Sequence, residues 1–137
     1  FFDSVESVLA HILFSVPAIK GLEFGSGFGI AEMLGSEAND SYYYDGDQIK
    51  TRTNHNGGIL GGITDGMPII YKVAIKPPAS ITKVQQTINI EDKTAAELSV
   101  EGRHDPIIVP RAIPVLEAVT AIAILDLLLD SKFYKYD

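Results

Sequence analysis

Cysteine and tryptophan are both absent from this sequence, and basic residues are scarce. Without cysteine there can be no disulfide, no thiolate zinc site and no cysteine nucleophile, so cysteine usage gives no indication of the redox compartment. The 11 Lys and Arg residues against 18 Asp and Glu give a net charge of -7. Because nucleic acids and anionic membranes are bound by basic surfaces, this balance argues against both as partners.

A long uninterrupted hydrophobic run is also lacking. The most apolar stretch, residues 118–129, is interrupted by Asp126 after a run of eight residues, whereas a membrane span needs about 20. The sequence therefore predicts a core helix there. The chain opens with Phe1, Phe2 and Asp3, without an initiator Met or a basic leader, so we expect no signal peptide and a start at an internal cut.

The overall composition is typical of one soluble domain. The 137 residues are 46% hydrophobic and 21% charged. The three histidines, His11, His55 and His104, have no recognisable metal-ligand spacing, so no metal site is predicted. His11 lies off the densest apolar stripe of its segment, and we expect it at the surface or partly buried.

Local patterns predict a helix, a strand and a hairpin in the first half of the chain. Apolar residues recur at helical spacing over residues 4–14, with Asp3 as the predicted N-cap and Glu6 three residues on. Residues 19–24 alternate enough for a strand that runs into a glycine-rich bend at 25–29. Asp45 and Gly46 lie between residues 42–44 and 48–51, which indicates a hairpin turn.

The middle of the chain has the clearest strand pattern. Three alternating apolar sets predict strands with one buried face, and the short joining segments favour antiparallel connections. The sets are Ile69, Tyr71, Val73 and Ile75; Val84, Ile88 and Ile90; and Ala96, Leu98 and Val100.

A long helix is predicted from about residue 110 to 129, followed by a frayed tail at 132–137. This helix is apolar nearly all round, so it must be covered on more than one side. One sheet covers one side, and we expect a second layer from sequence outside this chain or from another subunit. The predicted fold class is α+β, a single domain over residues 1–137 with an antiparallel sheet packed on the long helix and the short helix.

Three clusters could carry chemistry. In residues 54–63, two glycine pairs precede a strand, and exposed N–H groups there could cradle an anion. The alternative is a structural glycine loop, which motif grounds favour because no Walker or Rossmann fingerprint is present.

The second cluster is residues 76–82, where Lys76, Ser80 and Thr82 could hold a phosphate on a proline-stiffened loop. Its alternative is an ordinary strand end with solvated hydroxyls. The third cluster is residues 102–106, in which Arg103 offers a fork for phosphate or carboxylate and Asp105 could act as a base. There the alternative is a turn or cap before a proline.

Read together, these clusters closely resemble the carboxyl-terminal part of chorismate synthases over nearly the whole chain. The matching motifs are S-V-P-A-I-K-G (15–21), G-S-E-A-N-D (35–40), T-N-H-N-G-G-I-L-G-G-I-T-D-G-M-P (53–68), K-P-P-A-S-I (76–81) and G-R-H-D-P-I-I-V-P-R-A-I-P-V-L-E-A (102–118).

The resemblance implies an enzyme of the shikimate pathway and aromatic amino acid biosynthesis. It implies a lyase that converts 5-enolpyruvylshikimate 3-phosphate into chorismate and phosphate by anti-1,4 elimination, with reduced FMN as cofactor. It further implies a β-α-β sandwich, a homotetramer when the enzyme is intact, a cytoplasmic location and an association with NADP.

The resemblance also assigns roles to residues of this chain. Asp105 matches an aspartate thought to help deprotonate the flavin, and Arg103 matches an arginine that contacts the substrate. His104 falls at a position that varies between His and Ser, so it receives no catalytic role. The residues that match cofactor contacts are Lys76, Ser80, Thr82, Pro17, Ala18, Gly61 and Gly62.

The amino-terminal half of the family, with two catalytic histidines and several phosphate-binding arginines, has no counterpart in these 137 residues. Ile107 also replaces the small residue or cysteine usual after Asp-Pro. We therefore expect the chain alone to be inactive, with much of the positive potential supplied by the missing half. Two other classes stay open: a noncatalytic FMN- or phosphate-binding module, and a structural or oligomerising domain.

Overall fold

A computed structural model describes residues 2–133 of the chain. Two helices dominate, α1 at Val5–Ser15 and α3 at Val109–Phe133, with a short helix α2 at Gly35–Ala38 and a 3-10 helix at Gly27–Glu32. The predicted positions of α1 and of the long helix are confirmed. At the predicted bend, residues 25–26 form a turn that leads into the 3-10 helix, and residues 134–137 of the predicted frayed tail lie outside the described residues.

Helix α1 begins at a serine cap. The Ser4 hydroxyl accepts a hydrogen bond from the Ser7 N–H at 3.2 Å, so the prediction that Asp3 is the N-cap is wrong. Ser4 also takes up the extended conformation that an N-cap needs, with ψ at 152°. The helix ends before Pro17, because a residue that precedes proline is disfavoured in the helical conformation and Val16 is extended.

Strands occur as antiparallel pairs. Within the described residues they form four two-stranded sheets, and the prediction of one continuous sheet is wrong, although the α+β class is confirmed. Each pair closes through its own backbone hydrogen bonds. The pairs are β1 (Ile19–Phe24) with β6 (Tyr71–Ile75), β2 (Tyr42–Asp45) with β3 (Gln48–Thr51), β4 (Ile59–Leu60) with β5 (Ile63–Thr64), and β7 (Gln85–Asn89) with β8 (Thr94–Leu98).

The β1–β6 sheet is the pair that packs on the helices. Along β6, Tyr71, Val73 and Ile75 are half-buried while the intervening residues are exposed, which confirms the predicted alternation. The Tyr71 hydroxyl lies 2.7 Å from Thr120 Oγ1 of α3. Because Thr120 donates to the Leu116 carbonyl at 2.6 Å, the tyrosine is the donor, and this bond fixes the sheet on α3.

Hairpin β7–β8 lacks the buried face that the sequence predicts. Ile88 and Ile90 are 68% and 83% exposed, and Val84 and Leu98 are also exposed. The strands therefore form where predicted, but this hairpin packs on no other layer of residues 2–133. The prediction is wrong because alternation reports which side chains share a face, whereas burial also requires a second element against that face.

The core lies between α1, α3 and the inner strands. It contains two fully buried side chains, Leu9 and Leu13. Its buried members are Val5, Leu9, Leu13, Ile59 and Ala123, and the half-buried side chains around them include Leu22, Tyr71, Leu116, Val119 and Leu127.

Helix α3 is covered on one side by this core. Large apolar side chains elsewhere along the helix remain in water, namely Ile113, Val115, Ile122, Leu125, Leu128 and Leu129, and we call these six residues the outer face of α3. By length and composition, the segment Val109–Ser131 could also cross a membrane. Ala123 and Leu116 pack on α1 and its neighbours, but the predicted core helix is covered on one side only within residues 2–133.

We expect Leu9→Ala to lower the free energy of unfolding by about 2–5 kcal/mol, because a buried leucine loses its contacts and leaves a cavity. Leu125→Ala is the matched control, since Leu125 is 57% exposed on the outer face of α3. Urea denaturation monitored by circular dichroism measures both changes. Equal losses in the two variants would contradict the assignment of the core.

Candidate functional site

The buried carboxylate of Asp40 organises the loop at residues 53–58. Asp40 is 5% exposed. Its Oδ1 accepts hydrogen bonds from Thr53 Oγ1 at 2.7 Å and from the His55 N–H at 2.8 Å, and its Oδ2 accepts from the Asn56 N–H at 2.8 Å and from Asn56 Nδ2 at 2.9 Å. Four donors around one carboxylate hold the backbone of this loop in a single arrangement.

Two effects oppose each other at this carboxylate. Burial alone would raise the pKa of Asp40, but the hydrogen bonds from Asn56, His55 and Thr53 together outweigh burial and lower the pKa below its usual value. Asp40 is therefore ionised at neutral pH. Its negative charge is compensated by oriented N–H and O–H dipoles, and none of its hydrogen-bond donors is a cationic side chain.

The same loop is tied to the β1–β6 sheet. The Ser26 N–H donates to the His55 carbonyl at 2.9 Å, and Ser26 Oγ lies 2.8 Å from His55 Nδ1. Gly25 and Gly57 pass so close that a Cβ on Gly57 would lie 2.4 Å from the Gly25 nitrogen. A side chain at either position would force the two backbones apart, so glycine is required at this crossing.

These contacts favour the structural alternative for residues 54–63. The sequence offered either an anion cradle or a structural glycine loop, and the His55 and Asn56 N–H groups that could have held an external anion donate to Asp40 instead. The anion of this loop is a side chain of the chain itself.

Pro17, Ala18 and Lys76 lie together at the far end of the β1–β6 sheet. The Lys76 N–H donates to the Ala18 carbonyl at 2.7 Å, one residue beyond the last strand pair, Ile19 and Ile75. Ala18 has a φ of 73°, in the left-handed region that non-glycine residues rarely adopt. Such strain persists only where surrounding contacts enforce it, and it clusters at functional sites.

Gly61 and Gly62 lie at the opposite end of α1. The Val5 N–H donates to the Gly62 carbonyl at 2.9 Å, and a Cβ on Gly62 would approach Ser4 Cβ to 2.8 Å. Gly61 is open, because beyond its chain neighbours no atom lies within 4 Å of the position that a Cβ would take. Because α1 spans 11 residues, these glycines lie about 16 Å along the helix from Pro17 and Ala18. Of the two, only Gly61 offers backbone for the close approach of a ligand.

The second and third sequence clusters meet through Ser80 and His104. Ser80 Oγ lies 3.1 Å from His104 Nδ1, and His104 Nε2 donates to the Val100 carbonyl at 2.8 Å. The Thr82 carbonyl also accepts a hydrogen bond from Ser99 Oγ at 2.7 Å. The segment that carries Lys76, Ser80 and Thr82 is thus held against the segment that leads into residues 102–106.

Arg103 and Asp105 flank His104 and are both exposed. The Asp105 carboxylate pairs with Arg111 in the first turn of α3, whereas Arg103 forms no ion pair with any residue between 2 and 133. Arg103 is therefore a guanidinium available to an anionic ligand. The roles of these two residues stay predictions.

Metal ligation finds no support in the side-chain arrangement. Within residues 2–133 there is no group of three or more His, Asp or Glu side chains that could hold an ion. His11 is exposed on α1, as predicted.

Sequence reasoning missed Asp40, Ser26 and Arg111. Asp40 closes the motif G-S-E-A-N-D, but its partners lie 13–16 residues away along the chain, and no periodic pattern marks such a contact. Arg111 stands in the quoted motif that begins at Gly102, six residues after Asp105, so a charge pair across a helix start was a signal that could have been used.

Fold and site together define an α+β chain in which the segment after β6 carries Lys76 and two hydroxyl groups and contacts, through Ser80 and His104, the segment that carries Arg103. Ammonium, hydroxyl and guanidinium groups form a donor set that suits a phosphorylated ligand. The family model described as chorismate synthase matches residues 1–129. The chain belongs to the chorismate synthase family.

Individual relatives agree with this assignment. A chorismate synthase of Methanococcus aeolicus is 53% identical over 133 residues, which cover 96% of this chain and 36% of the relative. One of Lachnoclostridium phytofermentans is 52% identical over 138 residues, covering 99% of this chain and 37% of the relative. A crystal structure of chorismate synthase superimposes with a TM-score of 0.70 at 32% identity, over 93% of this chain and 31% of that one. The chain spans about a third of the length of these relatives.

We expect Asp40→Ala to lower the free energy of unfolding by about 2–4 kcal/mol, because it leaves buried donors without an acceptor. Asp45→Ala should change it little, since Asp45 is exposed in a hairpin turn where it pairs with Lys50. Chemical denaturation at pH 7 compares the two variants. Similar losses in both would contradict the organising role of Asp40.

The same carboxylate predicts a pH dependence. The folded-state pKa of Asp40 is lowered, so its contribution is fully present above the unfolded-state pKa of about 4 and is lost as pH falls through the folded value. Wild-type stability should therefore fall more steeply below pH 4 than that of Asp40→Asn, measured by urea unfolding from pH 7 downward. Parallel pH profiles of the two proteins would contradict this prediction.

At Ala18 we expect a substitution that stabilises the fold. Ala18→Gly should raise the free energy of unfolding by about 0.5–1 kcal/mol, because glycine adopts a positive φ without a Cβ clash, and Ala18→Val should lower it. Thermal denaturation measures both changes. A destabilised glycine variant would show that Ala18 is not strained.

Proposed function

We propose that this chain supplies part of the active site of a chorismate synthase, an enzyme that converts 5-enolpyruvylshikimate 3-phosphate into chorismate and inorganic phosphate. In this anti-1,4 elimination the substrate loses its phosphate and one ring proton, and no net oxidation occurs. The observation that carries the proposal is that two predicted ligand segments, residues 76–82 and 102–106, contact each other through Ser80 and His104.

The proposed cofactor is reduced FMN, which when bound lends electron density that assists departure of the phosphate and accepts the ring proton. Lys76, Ser80 and Thr82 would hold its phosphate group. The donor set fits this role, because it combines one ammonium with two hydroxyls on an exposed segment, and Lys76 forms no ion pair among residues 2–133.

Other residues would contact the rest of the cofactor and the substrate. The Pro17–Ala18 backbone lies next to Lys76 through the hydrogen bond to the Ala18 carbonyl. The open backbone of Gly61 would contact a distant part of the elongated cofactor, while Gly62 would support it by packing on α1. Arg103 would bind the phosphorylated substrate, and Asp105, oriented by Arg111, would set the protonation state at the cofactor.

The remaining walls of the active site would come from sequence beyond these residues. The chain spans about a third of its relatives, and the outer face of α3 is apolar and exposed. We propose that a further layer covers this face to complete a β-α-β sandwich in a cytoplasmic homotetramer, and that the chain alone has no lyase activity. A net charge of -7 also requires further basic groups around two phosphorylated ligands.

FMN titration tests the cofactor proposal directly. The chain should bind FMN saturably, and Lys76→Ala should weaken binding about tenfold through loss of one charge-assisted contact. Lys50→Ala is the matched control, because it removes the same charge from the β2–β3 hairpin. Fluorescence quenching of the flavin gives both affinities.

Three outcomes separate the candidate functions. FMN binding without chorismate formation from 5-enolpyruvylshikimate 3-phosphate under anaerobic, reducing conditions is the expected result for the chain alone. Turnover by the chain alone would overturn the proposed incompleteness. Absence of saturable FMN binding would overturn the cofactor site and favour a structural or oligomerising domain.

A further inference from the structure

The hydrogen bonds of His104 define which of its ring nitrogens carries a proton. Nε2 lies 2.8 Å from the Val100 carbonyl oxygen, and a carbonyl can only accept a hydrogen bond. Nε2 is therefore protonated. In the neutral ring Nδ1 is then a bare acceptor, and in the cationic ring Nδ1 is a second donor.

This assignment determines what the Ser80 hydroxyl does. A serine hydroxyl has one hydrogen to donate and two lone pairs to accept with. When His104 is neutral, the Ser80 hydrogen is directed at Nδ1, 3.1 Å away. When His104 is cationic, Nδ1–H donates to Ser80 Oγ, and the hydroxyl hydrogen is free to point elsewhere.

Phosphate oxygens are acceptors, so they compete with neutral His104 for the hydrogen of Ser80. We propose that His104 is a positioning residue that couples phosphate binding to proton uptake: it protonates when a phosphate group is bound at Lys76 and Ser80, and so turns the Ser80 hydroxyl toward that group. This inference rests on the proposed function, since it takes the FMN phosphate as the ligand of residues 76–82.

The surroundings of His104 support the coupling. Its two hydrogen-bond partners, Ser80 and the Val100 carbonyl, are uncharged, and it forms no ion pair among the described residues. Without a carboxylate on the ring, a bound phosphate becomes the anion that stabilises the imidazolium. The neighbouring charges along the two segments are Lys76 and Lys83 on the Ser80 side, and Glu101, Arg103 and Asp105 on the His104 side, with Asp105 already paired to Arg111.

Nitrogen-15 NMR of the histidine side chains reads the protonation state directly. In the 137-residue chain without ligand, the neutral form of His104 should carry its proton on Nε2. Saturating FMN should shift both ring nitrogens to the protonated form. His11, exposed on α1, is an internal control whose signals should not move.

Calorimetric titration with FMN in two buffers of different ionisation enthalpy measures proton uptake. Above pH 7 the phosphate is mostly doubly charged, so pH dependence there reports the protein. When wild type binds FMN it should take up as much as one proton, and its affinity for FMN should fall up to tenfold for each unit by which the pH rises. His104→Asn, whose amide can donate permanently to Ser80, should still bind FMN, but without proton uptake and with an affinity that does not change with pH. His11→Asn should behave as wild type.

The outcomes distinguish this inference from the proposed function. FMN binding that moves no proton onto His104, or a His104→Asn variant with an unchanged pH profile, would overturn the coupling and leave the cofactor site standing. No saturable FMN binding by wild type at any pH from 6.5 to 8.5 would overturn both. Proton uptake abolished by His104→Asn, with affinity retained, would establish the coupling.

Discussion

The buried carboxylate of Asp40 is the constraint on which the rest of this structure depends. Its four hydrogen bonds fix residues 53–58, and the close crossing of Gly57 with Gly25 transmits that geometry to the β1–β6 sheet. The far end of the same sheet holds Ala18 against Lys76. An unpaired carboxylate would be costly to bury, so Asp40 and the loop at residues 53–58 stabilise each other at one end of β6, while the hydrogen bond between Tyr71 and Thr120 holds the same sheet on α3.

Local sequence patterns predicted where helices and strands form and which of their side chains share a face. The spacing of Leu9 and Leu13 predicted α1, and the alternation of Tyr71, Val73 and Ile75 predicted β6 with its half-buried face. The predictions failed where burial or hydrogen bonding depended on residues distant in sequence. Alternation over Ile88 and Ile90 located β7 but not its exposure, because nothing in residues 2–133 packs on that hairpin. Likewise no pattern indicates that Asp40 receives hydrogen bonds from a loop 13–16 residues away.

The candidate site was predicted from the resemblance to a family more than from the chemistry of single residues. Residue chemistry alone left a ligand site and an ordinary loop open at each cluster and favoured the structural loop at residues 54–63, whereas the resemblance to a family implied ligand contacts in all three. In the structure the three clusters differ in whether their polar groups are bonded within the chain or exposed. Around residues 54–57 the N–H groups are committed to Asp40 and to the backbone of the chain. Around residues 76–82 and 102–106, Lys76 and Arg103 are exposed and form no ion pair among the described residues.

The same comparison applies to two exposed surfaces of the molecule, the outer face of α3 and the segment that carries Lys76. An apolar face in water and a set of exposed cations are both energetically unsatisfied, but they call for different partners: burial against another layer in one case, and an anion in the other. The outer face of α3 and the Lys76 segment are two separate exposed features of a chain that spans about a third of the length of its relatives. A small anion buries no apolar surface, so an anion held by Lys76 and Arg103 would leave the outer face of α3 exposed.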